Sequence, residues 1–261
     1  MTNNLPIPFD VRFMNLIAGV LLLTFAGLAL GVAVSWVARH PSLAIQGVTV
    51  SGDVEHTNAV TLRAHVTPRL NGTFLTIDLG QTRQAFESVP WVRRAVVQRE
   101  FPNRLKVVLQ EHRASGYWGV EGETALINSH GEVFEANAGE IEQDMLPRLN
   151  GPRAQSAQVL AMYEALHPLF DGIDLSVELL ELTGRGGWRV QLDTGAVIEL
   201  GRGEVNEVTE RTRRFVSTMT QVSAHHGRTV SALEAADLRY PDGYAIRLRG
   251  VSTMAPEKLK K

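Results

Sequence analysis

The sequence contains no cysteine among its 261 residues. This absence excludes disulfide frameworks, cysteine-ligated zinc, iron–sulfur clusters and thiol nucleophiles as the basis of its function. It also means that an oxidising compartment would do the chain no chemical harm. The first conclusion is therefore a list of chemistries that the protein cannot use.

The sequence also lacks an excess of charge of either sign, because 26 lysines and arginines face 28 aspartates and glutamates. A nucleic-acid-binding protein needs a strong basic excess or patch, so this balance argues against nucleic acid as a partner. Hydrophobic residues make up 44% of the chain, which excludes wholesale disorder. The length suits one or two domains of about 100–200 residues each.

One long segment near the N-terminus lacks charge entirely, since no Asp, Glu, Lys or Arg lies between Phe13 and Ala38. About 20 apolar residues, each rising ~1.5 Å, cross a ~30 Å hydrocarbon core. A cleaved signal peptide is the alternative, with Ala33-Val34-Ser35 as the cleavage site. Its apolar core would measure only about 7–15 residues, however. We therefore predict an uncleaved transmembrane helix over residues 13–38.

The orientation of this helix is not decided by charge, because Arg12 and Arg39 flank it one on each side. The size asymmetry is more informative. A short head, residues 1–12, precedes the helix, and more than 200 residues follow it. This favours a cytoplasmic head and a body outside the cytoplasm, in a bacterial periplasm.

In residues 41–116, the spacing of the apolar residues and the turn residues predict the order β-α-α-β-β. Thr57 is expected to cap the first helix and Asp78 the second. Glu111 ends the last strand, where we expect it to form a salt bridge rather than to act as a general base. The expected core of this domain is Val48, Leu62, Leu75, Phe86, Val97, Leu105, Val107 and Leu109.

Residues 117–251 predict a second, mixed α+β domain with a mainly antiparallel sheet. Amphipathic helices are expected from Ser156 and from Val205. The segment from Leu146 to Pro152 is interpreted as a loop. Hairpins are predicted around residues 126–134, 188–200 and 238–248, and a flexible tail over residues 252–261.

No enzymatic motif stands out. The glycine-rich stretches 184–187 and 201–203 lack the partners of a phosphate-binding loop. His225 and His226 are adjacent, so on a helix they point about 100° apart and cannot easily share a metal. Asp193-Thr194-Gly195 resembles an aspartic-protease triplet, but it has no second copy and suits a turn. The sequence thus predicts no catalytic residue, no metal and no cofactor, with a periplasmic enzyme as the remaining alternative.

The most specific pattern runs from Val89 to Glu111. Pro-Trp-Val precedes one strand, Arg-x-x-Pro marks the turn, and Leu-x-Val ends in Glu. This stretch resembles a POTRA domain. The second domain adds Leu146-Pro-x-Leu149-x-Gly151-Pro152, Trp188, Leu200-Gly-Arg-Gly203 and Asp237-Leu-Arg-Tyr240-x-x-Gly243. Nearly the whole chain therefore resembles the FtsQ/DivIB family of bacterial division proteins, although Pro-x-Ala is missing before Trp118.

The resemblance implies a non-enzymatic divisome scaffold in the inner membrane. Such a protein would bind FtsB and FtsL through its periplasmic domain and link cytoplasmic and periplasmic division proteins for septum formation. It implies no small-molecule substrate. The alternative is a POTRA-bearing component of protein transport or outer-membrane assembly. Such proteins usually carry a β-barrel of ~10-residue strands, whereas helical patterns follow here.

The candidate partner-binding site is the terminal strand, residues 244–249, which no later regular element can pair with. An open sheet edge recruits a strand from another chain, and side chains at alternate positions give specificity. Tyr244, Ile246 and Leu248 are expected on one face, and Arg247 and Arg249 on the other, where they suit an acidic partner segment. The resemblance adds Arg239, Tyr240, Gly243 and Arg185 to this site. The alternative is that Tyr240 is a core residue and that the arginines only keep the edge soluble.

Overall fold

The computed structural model describes residues 9–137, 139, 141 and 146–251. The chain divides into two compact units, and the boundary in the sequence lies between Glu111 and His112. Strand Ala114–Trp118 already belongs to the second unit, so this unit begins before Tyr117, the predicted start of the second domain. The expected tail, residues 252–261, lies outside the described residues, as does most of the expected head.

Helix α1, Phe9–Ala38, opens the first unit. Its stretch Phe13–Ala38 is the one span among the described residues that is long and apolar enough to cross a membrane. These 26 residues measure about 39 Å at ~1.5 Å per residue, more than a ~30 Å hydrocarbon core. The helix therefore crosses with tilt or reaches into the interfacial layer.

After α1, the described part of the first unit forms a three-stranded sheet with two α-helices, in the predicted order β-α-α-β-β. The sheet order is β1-β3-β2, with β1 parallel and β2 antiparallel to β3. Both β1 and β2 are therefore edge strands. The elements are β1 (Gly47–Gly52), α2 (Ala59–Val66), α3 (Leu79–Glu87), β2 (Val92–Glu100) and β3 (Arg104–Glu111).

The core of this unit matches the prediction except at Leu75, which is 54% exposed. Ile77 is buried in its place, at 3% exposure. The guanidinium of Arg99 donates to the carbonyls of Phe74 and Ile77, which fixes the path of this loop. The predicted residues that are fully buried are Leu62, Phe86, Leu105, Val107 and Leu109, while Val48 and Val97 are half-buried.

The cap of α2 was also predicted at the wrong residue. The side chain of Asn58, not that of Thr57, accepts the N–H of Thr61, at 2.8 Å. The N–H of Thr57 instead donates to Glu111, so Thr57 belongs to the loop before the helix. Asp78 caps α3 as predicted, through the N–H groups of Gly80 and Gln81.

The described residues of the second unit, 112–137, 139, 141 and 146–251, form a nine-stranded sheet with two α-helices. The strand order is β12-β11-β10-β9-β8-β7-β4-β5-β6. The elements are β4 (Ala114–Trp118), β5 (Ala125–Asn128), β6 (Val133–Glu135), β7 (Arg148–Asn150), α4 (Ser156–Asp171), β8 (Val177–Leu182), β9 (Trp188–Leu192), β10 (Val197–Gly201), α5 (Val205–His225), β11 (Leu233–Asp237) and β12 (Ala245–Leu248).

Helix α4 connects the parallel strands β7 and β8, and α5 connects the parallel strands β10 and β11. The two helices contact each other and share one core with the sheet. Its largest fully buried side chains include Trp188, Phe170 and Phe215. Strands β12 and β6 are left at the two edges.

Two strands of this sheet differ from the predictions. The segment interpreted as a loop contains β7, because Arg148–Asn150 pairs in parallel with β8 and Arg148–Leu149 with β4. The last hairpin is formed by β11 at Leu233–Asp237 rather than by a strand through Leu238 and Tyr240. Residues 238–244 connect the two strands as a loop instead.

Candidate partner-binding edge

Strand β12 lies at the edge of the larger sheet. It pairs antiparallel with β11, with Ala236 opposite Ile246 and Ala235 opposite Arg247. Within residues 9–137, 139, 141 and 146–251, no strand pairs with its other side. The edge expected from the sequence is therefore open in the described part of the chain.

Three of the predicted contact residues point into the domain and fix the strand in place. Leu248 is 5% exposed within the core, and Ile246 packs against that core. The ring of Tyr244 meets Phe215 edge-on at 5.0 Å, and its hydroxyl is 2.6 Å from Oγ1 of Thr218. They hold β12 against α5, which leaves its backbone edge for pairing.

The arginines of the strand are exposed and are engaged within the chain. The side chain of Arg247 is 67% exposed, with Nε 3.2 Å from the carboxylate of Glu234 on β11. Nη2 of Arg249 donates to the carbonyl of Thr194 at 2.6 Å. A guanidinium has five N–H donors, so both arginines keep donors for a further acceptor.

The loop before β12 exposes Tyr240 and Gly243. Tyr240 is 57% exposed, so the alternative that it is a core residue is wrong. A Cβ built on Gly243 would meet nothing within 4 Å. The guanidinium of Arg239 instead donates to the carboxylate of Asp237, with Nε and Nη2 at 2.8 and 2.6 Å from its two oxygens. This hydrogen bonding holds the pKa of Asp237 below its ordinary value and raises the pKa of Arg239.

A cavity of about 170 Å³ lies between this loop and α5. Tyr240 and Tyr244 line it from the loop, and Arg211, Arg214 and Phe215 line it from the helix. The guanidinium of Arg211 already donates to the carbonyls of Leu200 and Arg202, whereas Arg214 is exposed. The open edge of β12 therefore lies beside a cavity that is lined by aromatic and basic side chains.

Arg185 lies in the turn between β8 and β9, away from the edge strand itself. Strands β8, β10 and β11 run in the same direction, so this turn and the loop before β12 lie at the same end of the sheet. With strands about 4.8 Å apart, roughly 15–20 Å separate them. A partner on β12 would have to cross the end of the sheet to reach Arg185.

The sheet also carries a row of charged side chains that was not predicted from the sequence. Arg189 lies between Glu181 and Glu199 on the neighbouring strands, at 3.2 and 2.7 Å, and Asp237 follows opposite Glu199. The hydrogen bond to Glu199 raises the pKa of Arg189. In the sequence, each strand shows only alternating polar and apolar residues. The register in which the strands pair is what places the charged residues in one row. The row runs toward Ala245 on the edge strand.

The residues that were weighed as possible catalytic or metal-binding groups lie in a turn and at a helix end. Asp193–Gly195 forms the turn between β9 and β10, where the N–H of Gly195 donates to the carbonyl of Leu192. His225 and His226 lie at the end of α5. In the part of the chain that the structure describes, no group of three or more metal-ligating side chains is placed to hold an ion.

An N-terminal apolar helix, a small sheet covered by two helices and a larger sheet with an open edge define a membrane-anchored POTRA protein. Residues 43–112 match the family model "POTRA domain, FtsQ-type", and residues 116–239 match "Cell division protein FtsQ/DivIB, C-terminal". The chain belongs to the FtsQ/DivIB family of cell division proteins.

Individual relatives agree over nearly the whole chain. It is 40% identical over 247 residues to cell division protein FtsQ of Thiomonas arsenitoxydans, covering 94% of this chain and 90% of that protein. It is 37% identical over 243 residues to the FtsQ of Burkholderia pseudomallei, covering 93% and 94%. The FtsQ of Bordetella pertussis is 35% identical over 257 residues, with 92% of each chain covered.

The family confirms the predicted α+β fold and the prediction that the protein is not an enzyme. FtsQ is a bitopic inner-membrane protein, so α1 is the membrane anchor. The family also favours a role in division over the transport alternative.

Proposed function

We propose that this protein is a divisome scaffold that binds FtsB and FtsL, and that it accepts a strand of FtsB at the open edge of β12. By holding these partners on its periplasmic side, it links cytoplasmic and periplasmic division proteins for septum formation. The observation that carries this proposal is the open edge itself, in a domain whose family acts in division.

The direction of the backbone groups on β12 supports strand addition. The N–H of Arg249 donates to the carbonyl of Ala232, on the β11 side, at 2.8 Å. Backbone groups alternate in direction along an antiparallel strand. The N–H and C=O groups of Ile246 and the N–H of Leu248 therefore point to the open edge, where an added strand would pair with them. The carbonyl of Leu248 already accepts the N–H of Val251 at 3.2 Å.

Backbone pairing alone is too weak to account for a stable complex. Each hydrogen bond contributes about 0.5–1.5 kcal/mol net, so a few bonds to this four-residue strand give only a few kcal/mol. A micromolar complex needs about 8 kcal/mol. Side chains beside the edge must supply the rest, and the exposed ring of Tyr240 and the guanidinium of Arg247 are placed to do so.

The charges beside the edge favour an acidic partner segment. Arg247 is exposed on β12, Arg249 is exposed directly after it, and Arg214 borders the adjoining cavity. Charge-assisted hydrogen bonds from arginine to carboxylate are stronger than neutral ones. The strand of FtsB is therefore expected to carry carboxylates at positions that face these arginines.

Amide hydrogen exchange on the full-length protein in detergent, with and without the periplasmic segment of FtsB, tests the proposal. Protection is expected to rise at the amides of Ile246 and Leu248. The amide of Arg249, already bonded to Ala232, is the internal reference. Binding without new protection at Ile246 and Leu248 would show that the partner does not add a strand here.

A further inference from the structure

Besides the residues of α1, several apolar side chains of the first unit are exposed, and Leu75 and Phe101 are the two bulkiest of them. Phe101 is 86% exposed in the turn between β2 and β3, and Leu75 is 54% exposed in the loop before α3. Single exposed apolar side chains are common on protein surfaces. These two differ because both lie at the end of the unit from which the membrane helix emerges.

The loop of Leu75 is bonded directly to the end of α1. Oγ1 of Thr73 donates to the carbonyl of Ala38, the last residue of the helix, at 2.5 Å. The N–H of Phe74 donates to the carbonyl of Leu43 at 2.8 Å. Leu75 is the next residue, so it lies close to the point where the chain leaves the membrane.

The turn of Phe101 is bonded to the same region. The guanidinium of Arg99 donates to the carbonyls of Phe74 and Ile77, at 2.7 and 2.8 Å, on either side of Leu75. The carbonyl of Asn103 accepts the N–H of Gln46 at 2.9 Å. Both exposed side chains therefore belong to one apolar tip beside residues 38–46, which we name the membrane-proximal tip and define as Leu75 and Phe101.

The end of α1 marks the level of the lipid interface. Trp36 is 68% exposed two residues before the helix ends, which is where an interfacial aromatic residue belongs. Arg39 is the first charged residue after the apolar span. Because the span is longer than a hydrocarbon core, a tip bonded to its last residue lies at the depth of the headgroups.

We infer that the membrane-proximal tip inserts into the interfacial layer of the leaflet that α1 leaves, with membrane lipid as its binding partner. The side chains are apolar, and Arg39 is exposed nearby for lipid phosphates. Arg104 is also exposed, although its Nε lies 3.7 Å from the carboxylate of Glu100 and its Nη2 donates to Thr49. Amphipathic surfaces of this composition bind at the boundary between headgroups and acyl chains. The contact fixes the orientation of the first unit to the bilayer, which a single helix alone does not do.

The absence of cysteine allows a clean test. Leu75→Cys and Phe101→Cys are each introduced into the full-length chain, spin-labelled, and placed in bilayers of phosphatidylethanolamine and phosphatidylglycerol. Val60→Cys is the matched control, because Val60 is 78% exposed and follows the loop that binds Glu111. That loop lies at the other end of β3, roughly 23 Å from Arg104 at ~3.3 Å per residue.

Labels at residues 75 and 101 are expected to collide with lipid-soluble oxygen more than with a water-soluble nickel complex, while the label at residue 60 shows the reverse. In detergent-free buffer after proteolytic release from the bilayer, the oxygen preference at 75 and 101 should be lost. Water exposure at both positions equal to that at residue 60 would overturn the inference. Shielding from both reagents would also overturn it, because it indicates a protein contact instead of lipid.

Discussion

The backbone N–H of Thr57 donates to Oε1 of Glu111 at 2.8 Å, which joins the loop before α2 to the last residue of β3. Oε2 of the same carboxylate accepts the N–H groups of Glu55 and His56, at 3.1 and 3.0 Å. Glu111 is 6% exposed. The predicted salt bridge is therefore replaced mainly by three backbone donors, with Nδ1 of His56 3.4 Å away.

Replacing Glu111 with Gln should destabilise the first unit by about 1–3 kcal/mol, because a neutral amide loses charge-assisted bonds and turns an N–H₂ group toward backbone donors. The measurement is the free energy of unfolding from denaturant titration. Glu55→Gln is the matched control, since Glu55 is an exposed carboxylate in the same loop. Equal stability of the two variants would contradict a structural role for Glu111.

The same contact predicts a dependence on pH. Burial by itself raises the pKa of Glu111, but hydrogen bonds from Thr57 and His56 outweigh it, so the pKa lies below its ordinary value of 4.5. A pKa depressed by folding adds stability that is fully present above the unfolded value and is lost as pH falls through the folded value. The unfolding free energy should therefore drop below about pH 4.5. In Glu111→Gln this part of the acid loss should disappear, and an unchanged acid loss would count against the assignment.

The strands of the first unit have one buried and one exposed face, so the same substitution should have different consequences on the two faces. Val107 is fully buried on β3, whereas Val96 on β2 is 49% exposed on the opposite face. Val107→Asp should cost several kcal/mol and unfold this unit, because it buries an unpaired charge. Val96→Asp should change stability by less than about 0.5 kcal/mol. Thermal melting followed by circular dichroism distinguishes them, and similar melting of both variants would mean that the assignment of the two faces is wrong.

Tyr240→Ala should weaken capture of FtsB by about tenfold, because a buried aromatic anchor at an interface contributes more than ~1.4 kcal/mol. Stability of the second unit should stay unchanged, since the ring is 57% exposed. Val120→Ala removes an apolar side chain of 56% exposure elsewhere in that unit and is the control. The readout is the dissociation constant from a titration. Equal affinities of the two variants would place the site elsewhere.

Arg239 is a poorer probe than the sequence suggested. Its guanidinium is already bound to Asp237, so Arg239→Glu would place two carboxylates side by side and disturb the end of β11. If Arg239→Glu lost FtsB binding, the cause could be either a lost partner contact or a distorted end of β11. Tyr240 avoids this problem because its ring is exposed.

Local patterns predicted the parts of the fold that local forces determine. The apolar face of α4, with Val159, Leu160 and Leu166, begins at Ser156 as the sequence indicated. The turn at Asp193–Gly195 likewise joins two strands that alternate between buried and half-buried residues, up to Leu200 in the second strand. Here the sequence of each segment is sufficient to specify its structure.

Contacts between distant segments determined the rest. Strand β7 has three residues between prolines, and only its pairing with β4 and β8 makes it a strand. Strand β11, Leu233–Asp237, contains alanine and acidic residues that disfavour strands, yet β10 and β12 enclose it. At the candidate site, the open edge followed from the order of elements. The inward packing of Tyr244 and Leu248 required knowledge of α5, which contacts Tyr244 through Phe215.

Disulfide crosslinking tests most directly whether a partner strand adds to β12. Ala245→Cys places the single cysteine of the full-length chain on the exposed edge strand, and Glu135→Cys places it on β6, at the other edge of the same sheet. Each variant is oxidised in membranes with FtsB that carries single cysteines along its periplasmic segment. Strand addition predicts a heterodimer at Ala245→Cys with alternate FtsB positions, and none at Glu135→Cys. Co-purification of FtsB without a crosslink at residue 245, or with equal crosslinking at residue 135, would contradict it.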